Sequence, residues 1–411
     1  MRRRYSLRWY LAGAVAARAG DEMSGPALML AGFAVAGSTV EASSLLAGIT
    51  ISAAVGGPLL GALLDRAGRP GRLLAWALIM YAAGLGAVLV GLGRLPFAVI
   101  LVIAVVTGLL GPALSGGWTA QLPRVVPGDH LPRANALDAM TFSVASLAGP
   151  ALAGGVAEAL GASSAVVVSV ALIAVALPAA WMLPARPARP ARPARPARPA
   201  RTRGARTASV ISDLDAGIRI IVGRPSLARA TLTSVVSCIA QGMLTACIPL
   251  LGERVLGSPG RGAVLLSCAA VSALAAEAVL ARFPRAVAPD TIIWASALVQ
   301  AAALALVTVG SPVALIAAGL VAGIGEGPQL AALFAIRHRE APDHLRGQIF
   351  TTGASLKTTG FALGAAVAGP VVTWSLRGAV VAAASVAVTA ALAYFTIRSP
   401  RALTALDPAP R

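Results

Sequence analysis

The stretch GALLDRAGRPGR, residues 61–72, places one acidic and three basic side chains in a short gap between two long apolar runs. Asp65 and Arg66 directly follow the first run, and Arg69 and Arg72 precede the second. Short gaps rich in Arg are typical of the cytoplasmic loops of membrane proteins. We expect the three Arg side chains either to pair with acids of adjacent loops or only to set the topology.

Glycines lie within and shortly before this loop. Gly57 and Gly61 lie one helical turn apart in the first apolar run, and Gly68 lies in the gap itself. Small residues allow transmembrane helices to approach closely. Because the N-terminus of a helix is partly positive, Asp65 at the end of the first run is placed to accept hydrogen bonds from a neighbouring helix N-terminus.

The whole chain is strongly apolar. Of its 411 residues, 57% are hydrophobic and 12% are charged, and the mean hydropathy is +0.79, whereas about a quarter of the residues of soluble domains are charged. The net charge of +18 does not indicate nucleic-acid binding, because the Arg residues lie between apolar runs and no basic face rich in aromatic residues is present. Cys238, Cys247 and Cys268 lack metal-ligand spacing, so we predict no metal site.

Apolar runs of spanning length recur along the sequence. A bilayer core of about 30 Å requires roughly 20 apolar residues per helix. Breaking the chain at its clusters of Arg, Pro and Gly predicts twelve spans, at 9–36, 43–64, 72–93, 96–119, 136–158, 162–183, 227–252, 259–281, 289–309, 312–335, 346–370 and 376–397.

The two halves of the chain resemble each other. LLGALLDRAGR (59–69) aligns with AAEAVLARFPR (275–285), and PGDHLPRANALD (127–138) aligns with APDHLRGQIFTT (341–352). Such repeats occur in secondary transporters. We therefore predict an all-α integral membrane protein with twelve transmembrane helices in two six-helix bundles. The predicted parts are 1–184, a cytoplasmic linker at 185–226, and 227–411.

The Arg positions also predict the orientation. With a cytoplasmic N-terminus, 28 of the 34 Lys and Arg residues lie in the termini, the loops after even-numbered spans and the central segment. The opposite side holds Arg94, Arg254, Arg261 and Arg377. We predict a multi-pass protein of the inner (plasma) membrane with both termini cytoplasmic. The basic N-terminus is like that of a signal peptide, but the spans that follow it predict a retained first helix.

The stretch ARPARPARPARPARPARTRGAR (185–206) separates the predicted halves. Proline at every third residue enforces polyproline II, so the Arg side chains form one ridge on a semi-rigid rod. This ridge is expected either to lie on anionic lipid head groups or to be a repeat expansion tolerated in a linker. Residues 208–227 then predict a short amphipathic helix on the inner membrane face, from four aliphatic residues at helical spacing. These are Ile211, Leu214, Ile218 and Ile221.

Together with the spans and the duplicated half, the 61–72 loop resembles the signature of the major facilitator superfamily, Gly-x-x-x-Asp-Arg-x-Gly-Arg-x-x-Arg. The resemblance covers essentially the whole chain. It implies a transporter that works by alternating access. It also implies that contacts of Asp65 and Arg66, and to a lesser degree of Arg69 and Arg72, hold the outward-open state and break as the halves rock.

The fifth predicted span contains SLAGPALAGG (146–155), which resembles a Gly-Pro-x-x-Gly-Gly element of exporters that exchange substrate for protons. One extra residue precedes the glycine pair, and the fourth span contains the similar GPALSGG (111–117). The resemblance implies export. The matching residues are Gly149, Pro150, Gly154 and Gly155.

Charged side chains inside a span are costly and therefore indicate function. The first span contains Arg18, Asp21 and Glu22. Arg18 and Asp21 are three residues apart, so they share a helix face and are able to form a pair that only stiffens the helix. The dipeptide Gly20-Asp21 resembles the first helix of bacterial drug exporters of the superfamily. We predict Asp21, ahead of Glu22, as a proton or substrate-cation site.

The tenth and eleventh spans carry one charge each in their middle parts. Glu326 lies between two glycines in apolar surroundings that favour its protonated form, which suits proton exchange. Lys357 is the only lysine of the chain, and a buried lysine loses its proton more readily than Arg. We predict either a Glu326–Lys357 pair that forms and breaks during transport or a static pair that ties the two helices together.

Other polar residues in the spans have less specific roles. Glu277 is expected to snorkel or to contact a loop, and three acids near span ends are expected to reach water: Asp138, Glu158 and Glu253. Three glutamines are expected either to line the cavity or to hold helices together. These are Gln241, Gln300 and Gln329.

No Ser-His-Asp set, HExxH motif, CxxC pair or Walker motif is present, and His130, His338 and His344 are assigned to cytoplasmic loops. We therefore predict no enzymatic activity, no cofactor and an ion gradient as the energy source. The predicted function is a monomeric, proton-coupled exporter of a small amphiphilic drug or metabolite in a lipid bilayer. The alternatives are a proton-coupled importer or uniporter, or a non-transporting receptor or scaffold on the same fold.

Overall fold

The computed structural model describes residues 5–36, 39–185 and 215–397. Within these ranges the chain forms twelve main α-helices, which we label in chain order. They are α1 (Leu7–Ala36), α2 (Thr39–Arg66), α3 (Pro70–Gly91), α4 (Phe97–Gly108), α5 (Leu131–Leu160), α6 (Ala162–Trp181), α7 (Pro225–Leu256), α8 (Ala263–Arg282), α9 (Pro289–Val307), α10 (Pro312–Glu340), α11 (Arg346–Trp374) and α12 (Leu376–Thr396).

The predicted all-α membrane fold is confirmed, although not every helix is equally apolar. Ten of the described helices are long and apolar enough to cross a membrane. The other two, α1 and α11, are 30 and 29 residues long but more polar, since they contain Arg18, Asp21, Glu22 and Lys357. The charges that lower the hydropathy of α1 and α11 are those singled out as candidate site residues.

Helix α4 departs from the predicted continuous span at 96–119. After Gly108 the chain makes a turn and then a π-helical segment, Ala113–Gly117. Pro112 has no N–H to donate to the preceding turn, which favours this interruption. A Cβ at Gly116 would overlap the backbone of Phe350 in α11, so the close approach of the two segments requires glycine there.

The helices form two groups, the first half (α1–α6) and the second half (α7–α12). In the first half α1 packs against α5 and α6, and Tyr10 and Trp118 are among its largest buried side chains. In the second half α7 packs against α11 and α12, and α10 packs against α8 and α9. Between the halves, α2 contacts α11, and α5 contacts α8 and α10. The helices that line this junction carry most of the candidate site residues.

Residues 215–223 form a short helix directly before α7. Ile221 is 7% exposed and packs with Ile349 of α11, whereas Ile218 is 53% exposed. The two side chains predicted to share one apolar face therefore have different surroundings, because this helix packs on the protein at Ile221. Residues 186–214, with most of the Arg/Pro stretch, Ile211 and Leu214, lie outside the described residues, as do 1–4, 37–38 and 398–411.

Candidate substrate and proton site

A cavity of about 450 Å³ lies between the two halves. Its lining comes from the middle of α1, α3, α7 and α11, from the part of α2 before Gly57, and from the interrupted end of α4. We call the end of the bundle formed by the loops 67–69, 283–288 and 341–345 the basic end. Toward the basic end the halves contact each other directly, through α2 with α11 and α5 with α8.

Two carboxylates of α1 line this cavity. Asp21 accepts a hydrogen bond of 2.6 Å from the hydroxyl of Tyr81 in α3, and Ser24 lies 3.0 Å from the same hydroxyl. Glu22 is exposed and makes no ion pair or hydrogen bond with a described residue. Tyr81 was not predicted as a partner of Asp21, because a single tyrosine in the middle of an apolar run is its only mark in the sequence.

The predicted Gly-Pro element of α5 lies partly beside Glu22. A Cβ at Gly149 would come within 2.6 Å of the Glu22 Cβ, so glycine at this position allows α1 and α5 to approach. Pro150 is inside α5. Apart from chain neighbours and the backbone of α5 itself, no described atom lies within 4 Å of the Cβ positions of Gly154 and Gly155. The structure thus gives a packing role to Gly149 but not to the glycine pair.

The second half contributes Lys357 of α11 and Gln241 of α7 to the cavity lining. Glu326, on α10, is exposed but is not among the lining residues. Among the described residues, neither Glu326 nor Lys357 has an ion-pair partner within 4.0 Å. The pair predicted between them is therefore open in this structure.

Arg18 pairs with Asp138 of α5 and not with Asp21. Its Nη1 lies 3.0 Å from the Asp138 Oδ1, and it also donates to the hydroxyl of Thr141. Its Nη2 donates to the hydroxyl of Thr119 at 2.8 Å. The side chains of Arg18 and Asp138 are 2% and 0% exposed. The expectations of an Arg18–Asp21 pair and of a solvated Asp138 are wrong, because α5 packs along α1 and brings these distant residues together.

Glu277 is also placed differently from the prediction. It is fully buried on α8 and accepts a hydrogen bond of 2.9 Å from Ser143 of α5. A Cβ at Gly327 of α10 would come within 2.9 Å of the Glu277 side chain. Since α8 faces α5 and α10 at this level, Glu277 lies in the junction between the halves and does not snorkel. Glu158 and Glu253, in contrast, are exposed as expected.

Three glutamines of the second half form a chain of hydrogen bonds. Gln300 donates to Gln329 at 3.2 Å, and Gln241 donates to Gln300 at 3.5 Å. Gln329 donates in turn to Ser237 of α7 and to the carbonyl of Ile293. The buried pair Gln300 and Gln329 thus connects α7, α9 and α10, whereas Gln241 also reaches the cavity.

Asp65 caps the N-terminus of α11. Its two carboxylate oxygens each accept a hydrogen bond of 2.8 Å, from the backbone N–H groups of Gly347 and Gln348. The partial positive charge of a helix N-terminus favours a carboxylate at this position. A Cβ at Gly57 or Gly61 would overlap the first turns of α11, so both glycines allow the contact between the halves.

The basic residues of the same loop have different surroundings. The guanidinium of Arg72 lies 5.6 Å from the ring of Trp181, in cation–π geometry. Arg69 is exposed, and neither Arg69 nor Arg72 forms an ion pair with a described acid. The ion pairs expected for Arg69 and Arg72 are therefore not formed within the described part of the chain. Arg66 is exposed, and Gly68 lies in the turn with open space around it.

His338 lies in α10 and not in a loop. It is 6% exposed, and its Nδ1 is 2.9 Å from the Asn135 Oδ1 of α5 while its Nε2 is 3.3 Å from the carbonyl of Thr119. The helix extends past its predicted end at residue 335 to Glu340, which brings His338 into the junction. Together with Asp65 and Glu277, it forms a set of polar contacts that close the halves toward the basic end.

An all-helical membrane protein with a central cavity between two packed halves is characteristic of a multi-pass transporter. The family model of the Major Facilitator Superfamily matches residues 10–288. The uncharacterized MFS-type transporter y4rN of Sinorhizobium fredii (strain NBRC 101917 / NGR234) is 30% identical over 369 residues, which cover 86% of this chain and 87% of the relative. The chain belongs to the Major Facilitator Superfamily and is a membrane transporter.

Solved structures share the same fold. The human organic anion transporter MFSD10 (TETRAN) matches with a TM-score of 0.75 at 17% identity, over 96% of this chain and 100% of that one. A bacterial homologue of the iron transporter ferroportin in its outward-facing state matches with a TM-score of 0.72 at 14% identity, over 95% of this chain and 98% of that one. At these identities the comparison establishes the fold alone.

The Asp65 cap leads to the first prediction. We expect Asp65→Asn to keep the protein in the membrane but to reduce transport about tenfold or more, because charge-assisted hydrogen bonds contribute about 1.5–3 kcal/mol and Asn replaces one acceptor by a donor. The measurement is flux in proteoliposomes at equal protein content. Arg377→Gln, at an exposed basic residue of α12 outside the motif, is the control and should keep the native flux. Unchanged flux in the Asp65 variant would show that the cap is not needed for transport and that the loop charges only set the topology.

Proposed function

We propose that this transporter is a proton-coupled exporter of small amphiphilic compounds that works by alternating access. The observation that carries the proposal is the presence of Asp21 and Glu22 in a cavity between the halves. A carboxylate at membrane depth is costly, so its position in a cavity favours a role in an ion or substrate pathway. We assign the transported proton to Asp21 and to Glu326.

The moving bodies of the proposed mechanism are residues 1–184 and 227–411, joined by the linker at 185–226. For substrate to enter at the basic end, the contacts of Asp65 with α11, of Ser143 with Glu277 and of His338 with Asn135 must break. These bonds join polar groups that water can solvate once the halves separate. When this end opens, hydrogen bonds to water therefore compensate for the broken contacts, which would not happen at an entirely apolar junction.

The proposed direction rests on the sequence. The Arg distribution favours a cytoplasmic basic end and cytoplasmic termini, in the inner (plasma) membrane. The Gly-Pro element of α5 favours export. Substrate would then bind from the cytoplasm with the basic end open, and a proton would move inward in exchange. The open arrangement of Glu326 and Lys357 is compatible with a pair that forms in another conformation.

Direction and coupling are tested with purified protein in liposomes and a panel of nine tritiated probes. The panel contains phenyl, indolyl and naphthyl compounds, each with an alkyl amine, an alkyl carboxylate, or both groups as an amino acid. Liposomes without protein correct for passive movement. Antiport predicts uptake of at least one probe when the lumen is more acidic than the medium, and loss of that uptake with a protonophore.

The other outcomes identify other mechanisms. Uptake that requires a more acidic medium would indicate symport, the mechanism of an importer. Uptake that does not respond to either gradient would indicate a uniporter. Either result would contradict the proposed antiport.

A further inference from the structure

The cavity carries charges of opposite sign on its two halves. Glu22 of α1 and Lys357 of α11 both line it, and neither makes an ion pair or hydrogen bond with a described residue. Asp21 differs, because its carboxylate is already bonded by Tyr81. An uncompensated charge at membrane depth is costly, and such charges mark substrate or ion pathways.

The opposite signs of these two charges constrain the charge of the molecule that the cavity binds. A monocation at Glu22 would leave the ammonium of Lys357 without an ion-pair partner. A monoanion at Lys357 would likewise leave the carboxylate of Glu22 without an ion-pair partner. Only a molecule with groups of both signs compensates both side chains of this cavity.

We propose that the substrate is an amphoteric amphiphile, whose ammonium group binds Glu22 and whose carboxylate binds Lys357. This assignment rests on the proposed function, in that it takes this cavity to be the transport site. Gln241 lines the cavity on the same half as Lys357, and its amide hydrogen-bonds Gln300 and Glu326. Apolar side chains complete the lining and contact the body of the substrate, among them Leu46, Ile49 and Phe361.

The same geometry gives the substrate a structural role. Glu22 belongs to the first half and Lys357 to the second. A molecule bound to both side chains bridges the halves, whereas a singly charged molecule contacts only one of them through its charge. Glu326 lies outside ion-pair distance of Lys357, so the two charges attract each other only at longer range and the Lys357 ammonium has no direct ionic contact among the described residues. The bridge favours a closed cavity around the amphoteric molecule.

The test is equilibrium binding of the same nine probes to purified protein in detergent, where no gradient exists. We expect each amino-acid member that binds to bind about tenfold or more tightly than its amine and carboxylate relatives, equivalent to about 1.4 kcal/mol. Lys357→Met should lower the affinity for the amino acid to that for the amine. Glu22→Gln should lower it to that for the carboxylate.

Charge-matched controls are available away from the cavity. Arg377 of α12 and Glu158 of α5 are exposed, and Arg377→Met and Glu158→Gln should keep the native ranking. The proposal is wrong if a singly charged probe binds as tightly as its amino-acid relative, if Lys357→Met keeps the native ranking, or if none of the nine probes binds. An amino-acid preference in binding without gradient-driven flux would contradict the proposed antiport and leave the substrate class standing.

Discussion

Asp21→Asn is expected to reduce pH-gradient-driven transport to background while substrate-for-substrate exchange persists. Asn is close in shape to a protonated Asp and still accepts the hydrogen bond from Tyr81, so the site keeps its geometry. It cannot release a proton, and the carrier behaves as if permanently loaded. Glu326→Gln is expected to act in the same way, through the second assigned carboxylate.

Both activities are measured in the same proteoliposomes. Gradient-driven uptake reports coupling, and exchange of labelled for unlabelled probe reports binding and alternating access. Glu158→Gln, an exposed acid of α5, is the control and should leave both unchanged. A native rate of gradient-driven uptake in the Asp21 variant would show that Asp21 does not carry the proton. The same result in the Glu326 variant would show this for Glu326. If both variants stay coupled, the assigned antiport mechanism is wrong.

The largest effect on stability is expected at the buried pair of Arg18 and Asp138. Arg18→Met should lower the free energy of unfolding by about 3–5 kcal/mol, because it leaves the Asp138 carboxylate buried without its counter-ion. The guanidinium also lies 3.7 Å from the ring centroid of Phe142, a contact that Met replaces only in part. The measurement is denaturant unfolding in detergent, followed by tryptophan fluorescence.

Two further variants separate the charge from the packing. Arg18→Met combined with Asp138→Leu should recover part of the loss, since the double variant leaves no buried charge unpaired. Arg219→Met removes the exposed pair with Asp215 and should cost about 1 kcal/mol or less. An Arg18 variant as stable as the Arg219 variant would show that the buried pair contributes little to the fold.

The candidate site residues differ in whether the sequence alone could identify them. The Asp65 loop could be found from sequence because its residues are contiguous and its chemistry is local: a carboxylate at a helix end, with glycines one and two turns before it. Its partner, the N-terminus of α11, lies 282 residues away and could not be named. Lys357 was recognised as unusual from composition, whereas its place opposite Glu22 in one cavity was not.

By itself the sequence determined the all-α membrane fold and the family, because runs of apolar residues and short motifs act through local geometry. Only the tertiary structure decided which charges meet. Arg18 pairs with Asp138, 120 residues away, and not with Asp21 in its own helix. Glu277 lies in the junction between the halves and does not reach a loop. The rotation of each helix about its axis and the neighbour it packs against set these partners, and glycines such as Gly149 and Gly61 set how closely the helices approach. These quantities depend on packing between segments far apart in the chain.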